Sequence, residues 1–364
     1  MIRVATLIWK DGYGGAERSV RDLAAALDRN QVDMQFYYLS GPRGRFSQEI
    51  ADMGYEVVNL NWGDGFSLAG RWRLLKLLHQ FDPMIVHDHL IPPLTRPLIK
   101  LYFGCPVFHT EHGEAMRHAL GRDSWRRFVA RFDLLFCDCI LANSYASREA
   151  IQRAYKIPVA KIKVLYLGID LSRFDNPCGA PLITEKCKRI GYVGRINIEH
   201  KGTDYLPKVA RALEDMGYQN FEFIVLGDGP DRLVTERLCE QLKVSHLFTF
   251  LGWRSDIQQL VSSLDILILP SRFESFGLAA LEALAMGVKV VGFDVGGVSE
   301  SVGGCSDAWL VQPGDVTIMA QTIVSVLTHP QPSTTSRAYV EKHFSHQRMA
   351  SDLMKVYKEY VTQD

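Results

Sequence analysis

The chain has 364 residues, 47% of them hydrophobic, and carries 41 basic against 41 acidic side chains. That length and composition suffice to bury a substantial core and to divide into two domains. A formal net charge of zero excludes the basic footprint of a protein that grips nucleic acid over a long stretch, so no nucleic-acid partner is expected.

Strand-like apolar runs at 3–9, 34–40, 56–60, 84–89, 107–112, 140–143 and 164–167 alternate with helical patterns such as 16–27 and 72–81. Strand, helix, strand in repetition predicts a parallel sheet covered on both faces. The first run is broken by Lys10 and Asp11 and is too short for a signal h-region or a membrane span, so a cytoplasmic protein is expected. Asp11-Gly-Tyr-Gly-Gly-Ala-Glu17 then turns into a helix. Gly14 and Gly15 permit a tight turn with close backbone approach to an anionic group, although a purely structural turn fits equally. It is not a dinucleotide fingerprint, because no glycine follows at the third position.

Further along lie two basic amphipathic segments, 70–79 and 122–131, the second interleaving Arg126 and Arg127 with Trp125, Phe128 and Val129. Such faces dock on anionic membrane or simply cover a sheet. Strand ends carry His87 with His89, then His109 with His112 in Phe108-His-Thr-Glu-His-Gly113. A metal cluster is one reading; substrate contact is the favoured one, so no metal is expected. The seven cysteines are Cys105, Cys137, Cys139, Cys178, Cys187, Cys239 and Cys305, with no Cys-x-x-Cys pair, as expected of free thiols in a reducing compartment.

Periodicity breaks at 175–184, where Asn176-Pro177 and Gly179-Ala180-Pro181 mark an interdomain linker. We therefore expect an N-terminal domain over 1–175, a second over 186–340, and a terminal helix within 341–364 that returns to the first. The second series of strands is expected at 190–193, 222–226, 248–251, 266–269, 288–293 and 308–311. Two doubly wound, Rossmann-like α/β domains would then face each other across a cleft, with loops from the carboxyl ends of both sheets aimed into it.

Three features of the second domain carry chemistry. Gly191-Tyr-Val-Gly-Arg195 ends its first strand and Lys201-Gly202 opens the next helix, so two cations sit near one strand end, suited to a diphosphate or left as a solvated loop. After the strand 266–269, Glu274 lies in a loop and a helix is expected from Phe276 to Met286, closed by Gly287. Its first amides, at Phe276, Gly277 and Leu278, favour a phosphate. Glu282, one turn beyond Leu278, can accept from vicinal hydroxyls such as those of a ribose. In the plainer reading, Glu274 complements the helix end and Glu282 is a solvated side chain.

With these residues in place, the chain resembles glycosyltransferase family 4, the retaining enzymes of GT-B fold. The resemblance spans nearly the whole length: Gly14-Gly15-Ala16-Glu17, Arg195 with Lys201, Leu226-Gly-Asp-Gly-Pro230, Phe250-Leu-Gly252, and Glu274 with Glu282 as a Glu-x7-Glu pair. It implies that Arg195 and Lys201 hold the diphosphate of a nucleotide sugar, that Glu282 holds the ribose, and that Glu274 with the amides after it contacts the transferred sugar. It also implies that Gly15 closes over the phosphates from the opposite domain, and that His112 lies beside the donor sugar. His112, Glu274, Arg195 and Lys201 are thus the expected catalytic residues.

Retention needs a covalent intermediate or same-face attack, and no carboxylate is clearly placed as a nucleophile. The resemblance favours same-face attack, with the departing phosphate helping to take the acceptor proton. No Asp-x-Asp occurs in the chain, so fixed cations and helix amides are expected to replace a divalent metal, with no cofactor. The donor is expected to be UDP- or GDP-linked, and the acceptor a glycan, a lipid-linked molecule or a small molecule. A sugar-nucleotide epimerase on the same architecture is the alternative.

Overall fold

The computed structural model describes residues 1–12, 14–63, 67–113, 115, 124–175, 187–329 and 335–361. The chain forms two compact units: Met1–Asp170 together with Ser345–Asp364, and the continuous stretch Leu171–Phe344. Residues 176–184 of the expected linker, and Cys178 with them, lie outside the described residues.

The first unit is a seven-stranded parallel sheet of β1 (Ile2–Lys10), β2 (Val32–Ser40), β3 (Glu56–Asn59), β4 (Ile85–His89), β5 (Val107–Glu111), β6 (Cys139–Ala142) and β7 (Ile162–Val164), in the order β3-β2-β1-β4-β5-β6-β7. The second is a six-stranded parallel sheet of β8 (Lys188–Val193), β9 (Phe221–Leu226), β10 (Phe248–Gly252), β11 (Ile266–Leu269), β12 (Lys289–Phe293) and β13 (Ala308–Val311), in the order β10-β9-β8-β11-β12-β13. The near-continuous apolar character of runs such as Ile266–Leu269, fully buried here, is what a strand covered on both faces requires.

Both sheets change winding direction once, between β1 and β4 in the first unit and between β8 and β11 in the second. At such a point the connections leave to opposite sides and open a crevice beyond the carboxyl ends of the two strands. The glycine turn after β1 and His89 at the end of β4 belong to one such point. Arg195 after β8 and Glu274 after β11 belong to the other.

Several boundaries differ from expectation for visible reasons. The helix expected to start at Trp72 runs Leu68–Phe81, because Ser67 caps it and accepts from the Gly70 amide at 3.0 Å. The last strand of the first sheet is Ile162–Val164 rather than 164–167; Leu165 still donates to Ala142 O at 2.8 Å, but the chain then leaves the sheet to lay Gly168 against Ser345. The helix His346–Val361 packs on Gly15–Ala26 in the first unit, burying Met349, Leu353 and Tyr357 at four-residue spacing.

Candidate active site

In the second unit the chain leaves β8 through Arg195 and forms a one-turn helix, Ile198–Lys201. Asn197 caps this turn, accepting from the His200 amide at 2.8 Å, and Asp231 accepts from the Ile198 amide at 2.7 Å. The Leu226-Gly-Asp-Gly-Pro230 motif exists to let this loop sit on the next one: a Cβ on Gly229 would lie 2.2 Å from Ile196 O. The turn stops at Gly202, whose φ is +60° and whose α-carbon faces Pro270 O so closely that a Cβ would stand 2.1 Å from it. Only glycine satisfies both demands, and the result is that Lys201 is carried to the end of β11.

There Lys201 Nζ donates to Glu274 Oε2 at 2.5 Å. Ser271 Oγ donates to the same oxygen at 3.3 Å, and Glu274 O accepts from the Gly297 amide at 3.0 Å. The loop carrying Glu274 also braces the one carrying Lys201 through Arg272. Its guanidinium bonds Ile198 O at 2.6 Å and both oxygens of Asp204 at 2.5 and 2.9 Å, and lies 4.3 Å from the centre of the Tyr205 ring. Arg272 was not singled out from sequence; the only signal was a basic residue two positions before Glu274.

The helix after Glu274 is Leu278–Ala285, two residues shorter at its start than expected, because Gly277 is the N-cap in a left-handed conformation with φ +92°. Its end matches a Schellman closure: Gly287 donates to Leu284 O and Val288 to Ala283 O, at 3.0 and 2.9 Å. Helix geometry leaves the Leu278 and Ala279 amides without intrahelical acceptors. Phe276 is a core residue, 1% exposed and edge-on to Phe344, and its carbonyl accepts from Ser301 Oγ at 2.6 Å. Glu282 is half-buried one turn beyond Leu278 on the same face. Lys201 and Glu274 are thus brought together, whereas the exposed Arg195 makes no ion pair with a described residue.

In the first unit, Gly14 is the N-cap of Gly15–Ala26 and its amide is already used by Glu17, which reaches back to accept at 2.9 Å. An anion at Gly14 has to displace that carboxylate; Tyr13 lies outside the described residues. At the ends of β4 and β5 the histidines contact one another. His89 Nδ1 lies 3.0 Å from His112 Nε2, which turns the Nδ1 edge of His112 away from its neighbour. His87 is held between Tyr357 OH at 2.5 Å and Thr110 Oγ1 at 2.7 Å. Burial pushes His112 down to about 4 and His87 to about 3.

His109 behaves oppositely. Burial lowers it, but the Asp88 carboxylate 2.8 Å from Nδ1 and Glu111 beyond it hold the imidazolium, and its pKa rises to about 9. Arg96 in turn binds Asp88 and Asp133. Glu111 closes the chain by accepting from the Gly113 and Ala115 amides at 2.7 and 3.1 Å, which fixes the loop that carries His112. His109 is therefore part of a buried ionic frame and not a surface facing substrate. Sequence reasoning found the four histidines but not the division of labour between them.

Residues 13–173 match the model of Glycosyltransferase Family 4 and residues 187–329 that of Glycosyl transferases group 1. A 2-deoxystreptamine glucosyltransferase of Streptomyces kanamyceticus is 36% identical over 171 residues, 43% of this chain and 44% of that protein. A 2-deoxystreptamine N-acetyl-D-glucosaminyltransferase of Streptomyces fradiae is 30% identical over 281 residues, 69% of this chain and 64% of that one. The chain thus aligns with about half to two thirds of the length of these relatives. Anabaena HepE, solved with UDP and glucose, shares the fold with a TM-score of 0.83 at 19% identity, covering 99% of this chain and 100% of that one.

Proposed function

Because the chain belongs to the glycosyl transferases of group 1, in glycosyltransferase family 4, we propose that it moves a sugar from a nucleotide diphosphate sugar to an acceptor, with retention of anomeric configuration. The observation that carries this reading is the Lys201–Glu274 pair, a fixed cation beside a fixed carboxylate at the winding reversal of a parallel sheet. Lys201, with Arg195 after the neighbouring strand, is suited to a diphosphate that gains charge as its bond to the sugar breaks. Glu274 is suited to a sugar hydroxyl, the first amides of Leu278–Ala285 to a phosphate oxygen, and Glu282 to the ribose. From the first unit, Gly14 and Gly15 are proposed as donor contacts, and His112 as a contact to a sugar hydroxyl. UDP is the first base to test, since HepE was solved with it.

The test is a thermal-shift screen of UDP- and GDP-sugars followed by product analysis with and without acceptor. A nucleotide sugar that binds the folded state raises its melting temperature. Consumption of the donor to give an epimer, with no transfer or hydrolysis, would overturn the reading. Activity is expected to persist in excess chelator, because Arg195, Lys201 and the helix amides are the groups proposed to neutralise the leaving group without a divalent ion. Abolition by chelator, reversed by magnesium or manganese, would contradict it.

We further propose that the N-terminal unit touches anionic membrane. On Ser124–Leu134, Trp125 and Phe128 are stacked with ring centres 6.0 Å apart, 73% and 61% exposed, and Arg126 and Arg131 are exposed between and beyond them. The companion segment contributes less than its sequence suggested. Arg71 is buried, donating to Pro93 O, and the exposed Arg73 is tied to Leu60 O, while Trp72 and Lys76 face outward. Arg122 lies outside the described residues. Apolar anchors flanked by cations favour an anionic interface. The protein is expected to sediment with phosphatidylserine-containing liposomes and not with neutral ones; equal sedimentation with both would end the proposal.

A further inference from the structure

The Lys201–Glu274 contact sets a carboxylate charge where a diphosphate is expected to bind. Glu274 cannot readily withdraw it. Its side chain is 12% exposed against 32% for Lys201, Ser271 Oγ bonds the same Oε2, and its backbone is tied to Gly297. The other oxygen, Oε1, has no hydrogen-bond partner among the described residues and remains an acceptor. A diphosphate that approaches Lys201 must share the ammonium with Glu274 and also faces its negative charge.

A diphosphate still carrying its sugar can offset that repulsion, because a sugar hydroxyl can donate to Oε1. A free nucleoside diphosphate has no sugar hydroxyl to place there, and it carries one more ionisable oxygen on its terminal phosphate. We propose that Glu274 discriminates between the intact donor and the spent nucleoside diphosphate, weakening the hold on the product while accepting a bond from the substrate. This rests on the reading of Lys201 as a diphosphate contact. Discrimination of this kind uses a repulsive element as well as an attractive one, and here both sit on one side chain. It also hastens departure of the product from a site built of fixed cations.

The experiment measures binding of UDP, and separately of inorganic pyrophosphate, by titration calorimetry to the wild-type protein, Glu274→Gln, Glu274→Ala and Glu274→Asp, with circular dichroism to confirm folding. The two neutral variants are expected to bind both probes on the order of tenfold more tightly than wild type, and Glu274→Asp, which keeps the charge, to show no such gain. Two independent neutral variants keep the test decisive if one fails to fold. Unchanged or weaker binding of the probes by the folded neutral variants would overturn the proposal. Tighter pyrophosphate with no UDP binding by any form would overturn the UDP reading, and with it the discrimination proposed for UDP. If neither probe binds any form, the assignment of Lys201 to a diphosphate falls, and this inference with it.

Discussion

Lys201→Ala and Arg195→Ala are each expected to slow sugar transfer by on the order of 100- to 1000-fold at saturating donor, the usual cost of removing one donor to a developing oxyanion. Cleavage of the glycosyl bond pushes negative charge onto the terminal phosphate, so a fixed cation there interacts more strongly with the transition state than with the bound donor. Its loss should fall mainly on turnover. The two cations differ in setting: Lys201 is held 2.5 Å from Glu274, whereas Arg195 is exposed. Lys201→Ala therefore also leaves an unpaired carboxylate, and its donor affinity should suffer more than that of Arg195→Ala. Glu282→Ala should instead raise the Michaelis constant more than it lowers turnover, since the ribose does not change during reaction. Near-normal turnover of both cation variants at saturation would mean that the diphosphate lies elsewhere.

The second large effect is on stability, and it comes from the strand-end histidines of the N-terminal unit. His87 and His112 are held neutral in the folded chain, with pKa values pushed to about 3 and about 4, whereas in an unfolded chain both take a proton near the ordinary 6.5. Below that value the unfolded chain binds more protons, so stability is fully present above pH 6.5 and falls as the pH drops toward 4. His87, fully enclosed by Tyr357, Thr110 and His89, should cost about 2 kcal/mol between pH 6.5 and 5, before the carboxylates titrate.

His109 works on the other side. Its pKa is raised to about 9 by the Asp88 carboxylate, with help from Glu111, against burial and the neighbouring Arg96 charge, so its contribution is complete below pH 6.5 and is lost as the pH rises through 9. The melting temperature should therefore peak near neutrality and drop by roughly 5 °C or more by pH 5. A melting temperature that stays flat from pH 7 to 5 would show that these histidines are not buried as described.

Much of this was readable in advance because it depends on local spacing. The alternation of strand and helix, the cations after one strand and the carboxylates after another all follow from residues close in sequence. What was not readable depends on contacts across long separations. Lys201 and Glu274 are paired because Gly202 fits under Pro270 O, and nothing in either segment announces that fit. Glu17 looked like part of a glycine-rich anion loop, yet its side chain folds back on Gly14. His109 and His112 are three residues apart and acquire opposite protonation habits, because Asp88 at 2.8 Å outweighs the burial of the first, whereas burial prevails at the second. Phe276 belongs to a motif written as donor-binding, but its ring serves the core, where Phe344 meets it from 68 residues away.

The return of the terminal helix reverses the order of folding relative to synthesis. The unit Leu171–Phe344 is continuous and leaves the ribosome whole, so it can close while Met1–Asp170 still lacks Ser345–Asp364. Until Tyr357 emerges, His87 has no phenol to cover it, and Gly15–Ala26 lacks the face of His346–Val361. The half of the protein made first is thus the half finished last.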